Sequence, residues 1–136
     1  MPSKRFLWTV FLLYCAFTFY GTAIPFEINL NQVPVKWHQF LSDPLISEDL
    51  SLPDLLSNFL LFIPFGILLA ALCQPIASAQ ATRMGVILLT TFVTFCFSTT
   101  IEIFQLMIPS RTTSLVDILT DTAGGMCGAI VGLLFF

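Results

Sequence analysis

The sequence predicts an all-α membrane protein, a four-transmembrane-helix bundle, on three observations. The 136-residue chain is 57% hydrophobic and 10% charged, with mean hydropathy +0.93, whereas soluble domains carry about 25% charged residues. Its apolar residues gather in runs of roughly 20, enough to cross about 30 Å of hydrocarbon at 1.5 Å per residue. Its eight acids and five bases lie mostly in or beside the connections between those runs. Nothing separates two cores, so residues 1–136 are expected to form a single domain. No basic stripe suggests nucleic acid. His38 is the only histidine, and Cys15, Cys73, Cys96 and Cys127 sit in apolar segments without CxxC spacing. No metal site, disulfide framework or Ser/His/Asp triad is expected, and no cofactor.

The first span is residues 6–24, FLWTVFLLYCAFTFYGTAI, directly after Lys4 and Arg5. A cleaved signal peptide is the competing reading, because Gly21-Thr22-Ala23 resembles a cleavage site. The run is long for such a peptide and stays aromatic to Tyr20, which favours a retained helix. Residues 25–53 carry Pro25, Pro34, Pro44 and Pro53 together with Glu27, Lys36, Asp43, Glu48 and Asp49. They read as a solvent-facing extracytoplasmic loop between helices 1 and 2. Within it VKWHQFL suits a short interfacial helix with Trp37 at the headgroup level.

Ser51 and Asp54 form a capping box that opens the second span, about 54–73. Pro64 in mid-helix removes a backbone donor, so a kink is expected near Leu60 to Pro64, and Gly66 should let another helix approach. Pro75 ends that span, and QPIASAQAT leads to Arg83 and the third, about 84–107. Thr91, Thr94, Ser98, Glu102 and Gln105 fall within one arc of this helix, away from lipid. Ser114 and Asp117 form a second capping-box pattern and start the fourth span, about 115–136. There Asp117, Asp121, Gly125, Gly128 and Gly132 share a face, while Gly124, Gly128 and Gly132 make two GxxxG steps. That stripe suits close helix packing, including packing against a second copy of the chain.

Charge sets the expected topology. One side holds Lys4, Arg5 and Arg83 without an acid, whereas all eight acids lie in or beside the first and third connections. Both termini are therefore expected inside. This places Asp54, Asn58, Glu102, Gln105, Arg111, Asp117 and Asp121 together near the outer surface. Ionisable groups are costly in a bilayer and seldom left unpaired there.

Each acid taken alone has a structural explanation. Asp54 and Asp117 suit helix starts, and interhelical contacts among Asn58, Glu102, Gln105 and Arg111 would each contribute roughly 0.6 to 2 kcal/mol. Taken together they suit a recognition site. Arg111 offers a planar fork for a phosphate or carboxylate, with Asn58, Glu102, Gln105, Asp117 and Asp121 as further ligand-binding candidates. If the site is catalytic, Glu102 or Asp117 is the general acid or base. Glu102, near a helix C-terminus where the dipole opposes an anion, is expected to pair with Arg111 across the turn. Four carboxylates facing one guanidinium also require either a bound cation or a retained proton, expected on Asp121.

NFLLFIPFG, IEIFQ with its following PSR, and DILTDTAGGMCG resemble the VanZ-like family of small bacterial membrane proteins. The resemblance covers the chain from about residue 51 onward, with the first span in outline. It matches the family's characteristic positions at Asn58, Pro64, Gly66, Glu102, Gln105, Arg111, Asp117 and Gly124, and departs at Asp121, where the family usually has asparagine. What it implies is a role in the bacterial envelope, with some members linked to reduced sensitivity to teicoplanin. The expected placement is the cytoplasmic membrane, and the expected partner is a membrane lipid or lipid-linked cell-wall intermediate. The expected function is binding or masking of that material. An intramembrane transferase or hydrolase acting on a lipid-linked phosphate or glycan, and a structural subunit of an envelope complex, are the alternatives.

Overall fold

The computed structural model describes residues 2–45, 51–73 and 80–135. The expectations for Glu48, Asp49 and Pro75 lie outside the described residues. Four long helices form the protein: α1 (Lys4–Ala23), α3 (Leu52–Cys73), α4 (Gln80–Gln105) and α5 (Leu115–Phe135). A short helix, α2 (Val33–Ser42), follows a single 3-10 turn at Leu30–Gln32. The long helices are each long and apolar enough to cross a membrane, so this is a multi-pass membrane protein. Helix starts follow the sequence signals: Ser3 Oγ accepts from the Phe6 N–H at 3.3 Å, and Ser51 Oγ accepts from the Asp54 N–H at 3.3 Å. The Ser51 hydroxyl also donates to the Asp54 carboxylate.

The pair α3 and α5 is the centre of the bundle, and glycine is the reason. A Cβ on Gly124 would collide with the Phe59 carbonyl oxygen, and one on Gly128 with that of Ile63. Gly132 lies close against Ile67 and Ala70, where a Cβ would be 3.1 Å from its nearest neighbours, while a Cβ on Gly66 would strike the Gly125 carbonyl. Phe59, Ile63 and Ile67 step by four along α3 as Gly124, Gly128 and Gly132 do along α5, so two parallel helices meet backbone to backbone. In lipid, where burial of apolar surface gives no net drive, such close packing is what holds helices together. The glycine stripe expected to suit a second copy is thus occupied by α3 within the chain.

The α4 helix covers α5 with a row of small polar residues. Thr90, Thr94 and Ser98 are wholly buried, and a Cβ on Gly125 would meet the Thr94 side chain. Thr90 holds the place expected for Thr91, which is only half-buried. The α1 helix is peripheral. It joins through Phe11, whose ring lies 5.1 Å from that of Phe65, and through Tyr14, whose hydroxyl donates to the Leu61 carbonyl at 2.6 Å. That donor lands one residue from the carbonyl that Pro64 deprives of its usual partner, and α3 runs through the proline as one helix. The outward faces are mainly apolar, with Leu13, Phe17, Leu88, Phe92 and Leu134 exposed, as contact with lipid requires.

The first connection is solvent-facing as expected, with no buried residue among those described. Its α2 helix covers the expected VKWHQFL segment, with Trp37 exposed, but the segment is tied across the α4–α5 turn. The Asn29 N–H donates to the Met107 carbonyl at 2.8 Å. The Lys36 ammonium donates to the carbonyls of Ile108 at 2.5 Å and Arg111 at 2.6 Å. The Leu115 N–H at the start of α5 reaches the Pro44 carbonyl at 3.2 Å. A turn between helices exposes carbonyls without partners, and the strap supplies donors to them. Partial burial moves the Lys36 ammonium below its ordinary pKa. Lys36→Met is expected to cost on the order of 1 kcal/mol, as for a partly exposed charged hydrogen bond. Hydrogen exchange should read the loss as faster exchange confined to the turn at residues 106–115, and unchanged exchange there would refute the strap.

Candidate functional site

At the end of the bundle where α1 and α4 finish and α3 and α5 begin, a cavity of about 290 Å³ opens between the helices. The chain runs up, down, up and down through the four long helices, so both termini lie at the opposite end. All six ligand-binding candidates, Asn58, Glu102, Gln105, Arg111, Asp117 and Asp121, line the cavity, together with Asp54. Ser110, Thr112 and Asp54 are exposed at its rim, and Phe62, Ile101 and Asp121 are buried deeper. Four of the lining residues are acids and one, Arg111, is a cation.

Three of the acids, Glu102, Asp117 and Asp121, are held by partners that the sequence does not pair. Glu102 is 4% exposed, and its Oε2 accepts the Ser114 N–H at 2.9 Å. This is the bond that a capping-box carboxylate three residues into α5 would ordinarily make. Asp117 occupies that position, but its Oδ1 instead accepts from Asn58 Nδ2 at 3.0 Å. The Ser114 hydroxyl still accepts from the Val116 N–H at 3.1 Å. A carboxylate from α4 therefore caps α5, and the residue released from capping ties α5 to α3. The positive end of the α5 dipole favours Glu102, which the end of its own helix opposes.

Arg111 does not pair with Glu102. Its Nε and Nη2 donate to the Ile24 carbonyl at 3.1 and 3.0 Å, which anchors the turn to the end of α1. The expected ion pair across the turn is absent among the described residues, the guanidinium being directed to α1 and the Glu102 carboxylate to the Ser114 N–H. Gln105 also serves α1, donating from Nε2 to the Thr22 carbonyl at 3.2 Å. Thr22 lines the cavity as well; a threonine near the end of an apolar helix carries no sequence signal for that role.

Asp121 lies deepest of the acids. It is 5% exposed, and its Oδ2 accepts the Ser98 hydroxyl at 2.7 Å. Its Oδ1 has no partner among the described residues.

Comparison with known families bears on this arrangement. The family model described as VanZ/LLP1 matches residues 6–136. The chain belongs to the VanZ/LLP1 family. No curated protein and no solved structure matched it. The matched range spans the Pro64 and Gly66 pair on α3 and the acids and glycines of α5. In this VanZ/LLP1 protein these residues divide into two groups. Gly66 and Gly124 bring α3 and α5 together, and Asn58, Glu102, Gln105, Arg111 and Asp117 line the cavity that this packing leaves at one end.

Proposed function

We propose that this protein binds the polar head of a membrane lipid or lipid-linked cell-wall intermediate at the outer face of the bacterial cytoplasmic membrane. In doing so it lowers sensitivity to teicoplanin and related lipoglycopeptides. The observation that carries this reading is the cavity, whose polar lining comes from all four long helices at one end of the bundle. A stabilising network alone would close its polar groups on one another. Here a volume of about 290 Å³ remains, roughly the share of ten water molecules at about 30 Å³ each. The distribution of charge, with basic residues beside the opposite ends of the helices, supports an outward-facing cavity. The family resemblance supports the envelope role.

The test is teicoplanin susceptibility in a bacterial host carrying the chain or its Asp117→Asn variant at matched membrane abundance. An asparagine can still accept from Asn58 while removing the charge, so the fold is expected to persist. Susceptibility should return to that of cells without the protein. Full retention of the effect by Asp117→Asn would refute a role for the cavity. Turnover of a lipid-linked phosphate or glycan by the purified protein would replace binding with catalysis, in which Glu102 or Asp117 is the acid or base.

A further inference from the structure

Asp121, among the deepest residues of the cavity lining, carries an acceptor without a matching donor. Asp121 Oδ1 is buried and has no partner among the described residues, although its other oxygen is held by Ser98. A buried carboxylate oxygen without a partner is costly, and the cost falls when a donor arrives from outside the chain. The chain's nearby cations are committed elsewhere. Arg111 directs two nitrogens to the Ile24 carbonyl, and Lys36 spans the carbonyls of the turn. Asp54, Glu102, Asp117 and Asp121 therefore outnumber Arg111 as charges on the lining. Among the described residues no three Asp, Glu, His or Cys side chains are grouped closely enough to hold a metal ion. A larger cation that donates hydrogen bonds suits the spacing better.

We infer that the cavity takes the primary ammonium of a lipid headgroup, with the amine set against Asp121 Oδ1 beside Asp117. The inference rests on the headgroup reading above and specifies its chemistry. A phosphate alone would meet four acids, whereas an ammonium donates to them and neutralises part of their charge. The lipid source follows from position, since the cavity opens at the end of the spanning helices, and Phe62 and Ile101 give its lining an apolar part.

The experiment is native mass spectrometry of the purified full chain released from micelles containing phosphatidylethanolamine and phosphatidylglycerol with the same acyl chains. Phosphatidylethanolamine should be retained about ten-fold over phosphatidylglycerol, the ratio that ~1.4 kcal/mol produces. N-acetylating the amine should abolish the preference with the protein unaltered, which keeps the test independent of any variant's folding. Asp121→Asn should reduce the preference to about two-fold or less. Equal retention of the two lipids, or an unchanged preference in Asp121→Asn, would overturn the inference. So would saturation by free ethanolamine with no lipid preference. Retention of lipid without regard to the amine overturns this inference and leaves the headgroup reading standing, whereas retention of no lipid removes both.

Discussion

Replacing Gly66 by alanine is expected to lower the melting temperature of the purified protein more than any other single methyl addition along α3. The new Cβ would meet the Gly125 carbonyl oxygen, with the Ala129 N at 2.9 Å. Both are backbone atoms and cannot rotate away. Overpacking of this kind costs about 1 to 3 kcal/mol and sometimes more, against a gain in helix propensity of about 1 kcal/mol at most. Gly21 and Gly85 supply the comparison, since a Cβ at either meets nothing within 4 Å. Gly21→Ala and Gly85→Ala should therefore be neutral or slightly stabilising. Thermal unfolding in detergent, followed by circular dichroism, checks all three. A Gly66→Ala protein that melts with the wild type would show that α3 and α5 do not meet at that glycine.

Glu102→Ala is the second large effect expected, and its contrast with Glu102→Gln separates structure from function. Alanine leaves the buried Ser114 N–H without its acceptor, at a cost of about 1 to 3 kcal/mol. Loosening at the start of α5 should follow, visible as faster exchange at Ser114 and a lower melting temperature. Glutamine keeps an oxygen for Ser114 and removes only the charge, so stability should stay near that of the wild type. The teicoplanin phenotype should nevertheless be lost in Glu102→Gln, because the cavity then lacks one of its acids. If glutamine destabilises as much as alanine, the carboxylate acts through charge at the α5 terminus and not as an acceptor for that one donor.

Much of the cavity was legible because polar residues in an apolar chain are few and costly. The bounds of the four spans were readable to within a few residues from hydropathy and capping residues. The α4 helix shows the largest difference, starting at Gln80 rather than about 84. The Gly66 close approach was readable from a small residue in a membrane helix, and the shared placement of Asn58, Glu102, Gln105, Arg111, Asp117 and Asp121 from helix ends falling on the same side. These features depend on spacing along one helix or on the alternation of helix direction, and both are present in a linear string.

Partner choice was not legible in the same way. Two capping-box patterns look alike in sequence, yet Ser51 and Asp54 close on each other while Asp117 leaves Ser114 for Asn58. The difference arises because Glu102 arrives from α4 to take the Ser114 N–H. Glu102 and Arg111 flank one turn and carry opposite charge, but Arg111 turns to a carbonyl at the end of α1. The glycine stripe of α5 specifies a close approach without specifying which helix makes it, and the partner is α3. The sequence by itself determined which residues must avoid lipid and at which end of the bundle they gather, because those follow from the cost of polar groups in hydrocarbon. Only the tertiary structure decided which donor meets which acceptor, since that depends on distances of a few ångströms between helices far apart in the chain. It also directs the Ser98 hydroxyl to Asp121 Oδ2 and leaves Oδ1 without a partner among the described residues.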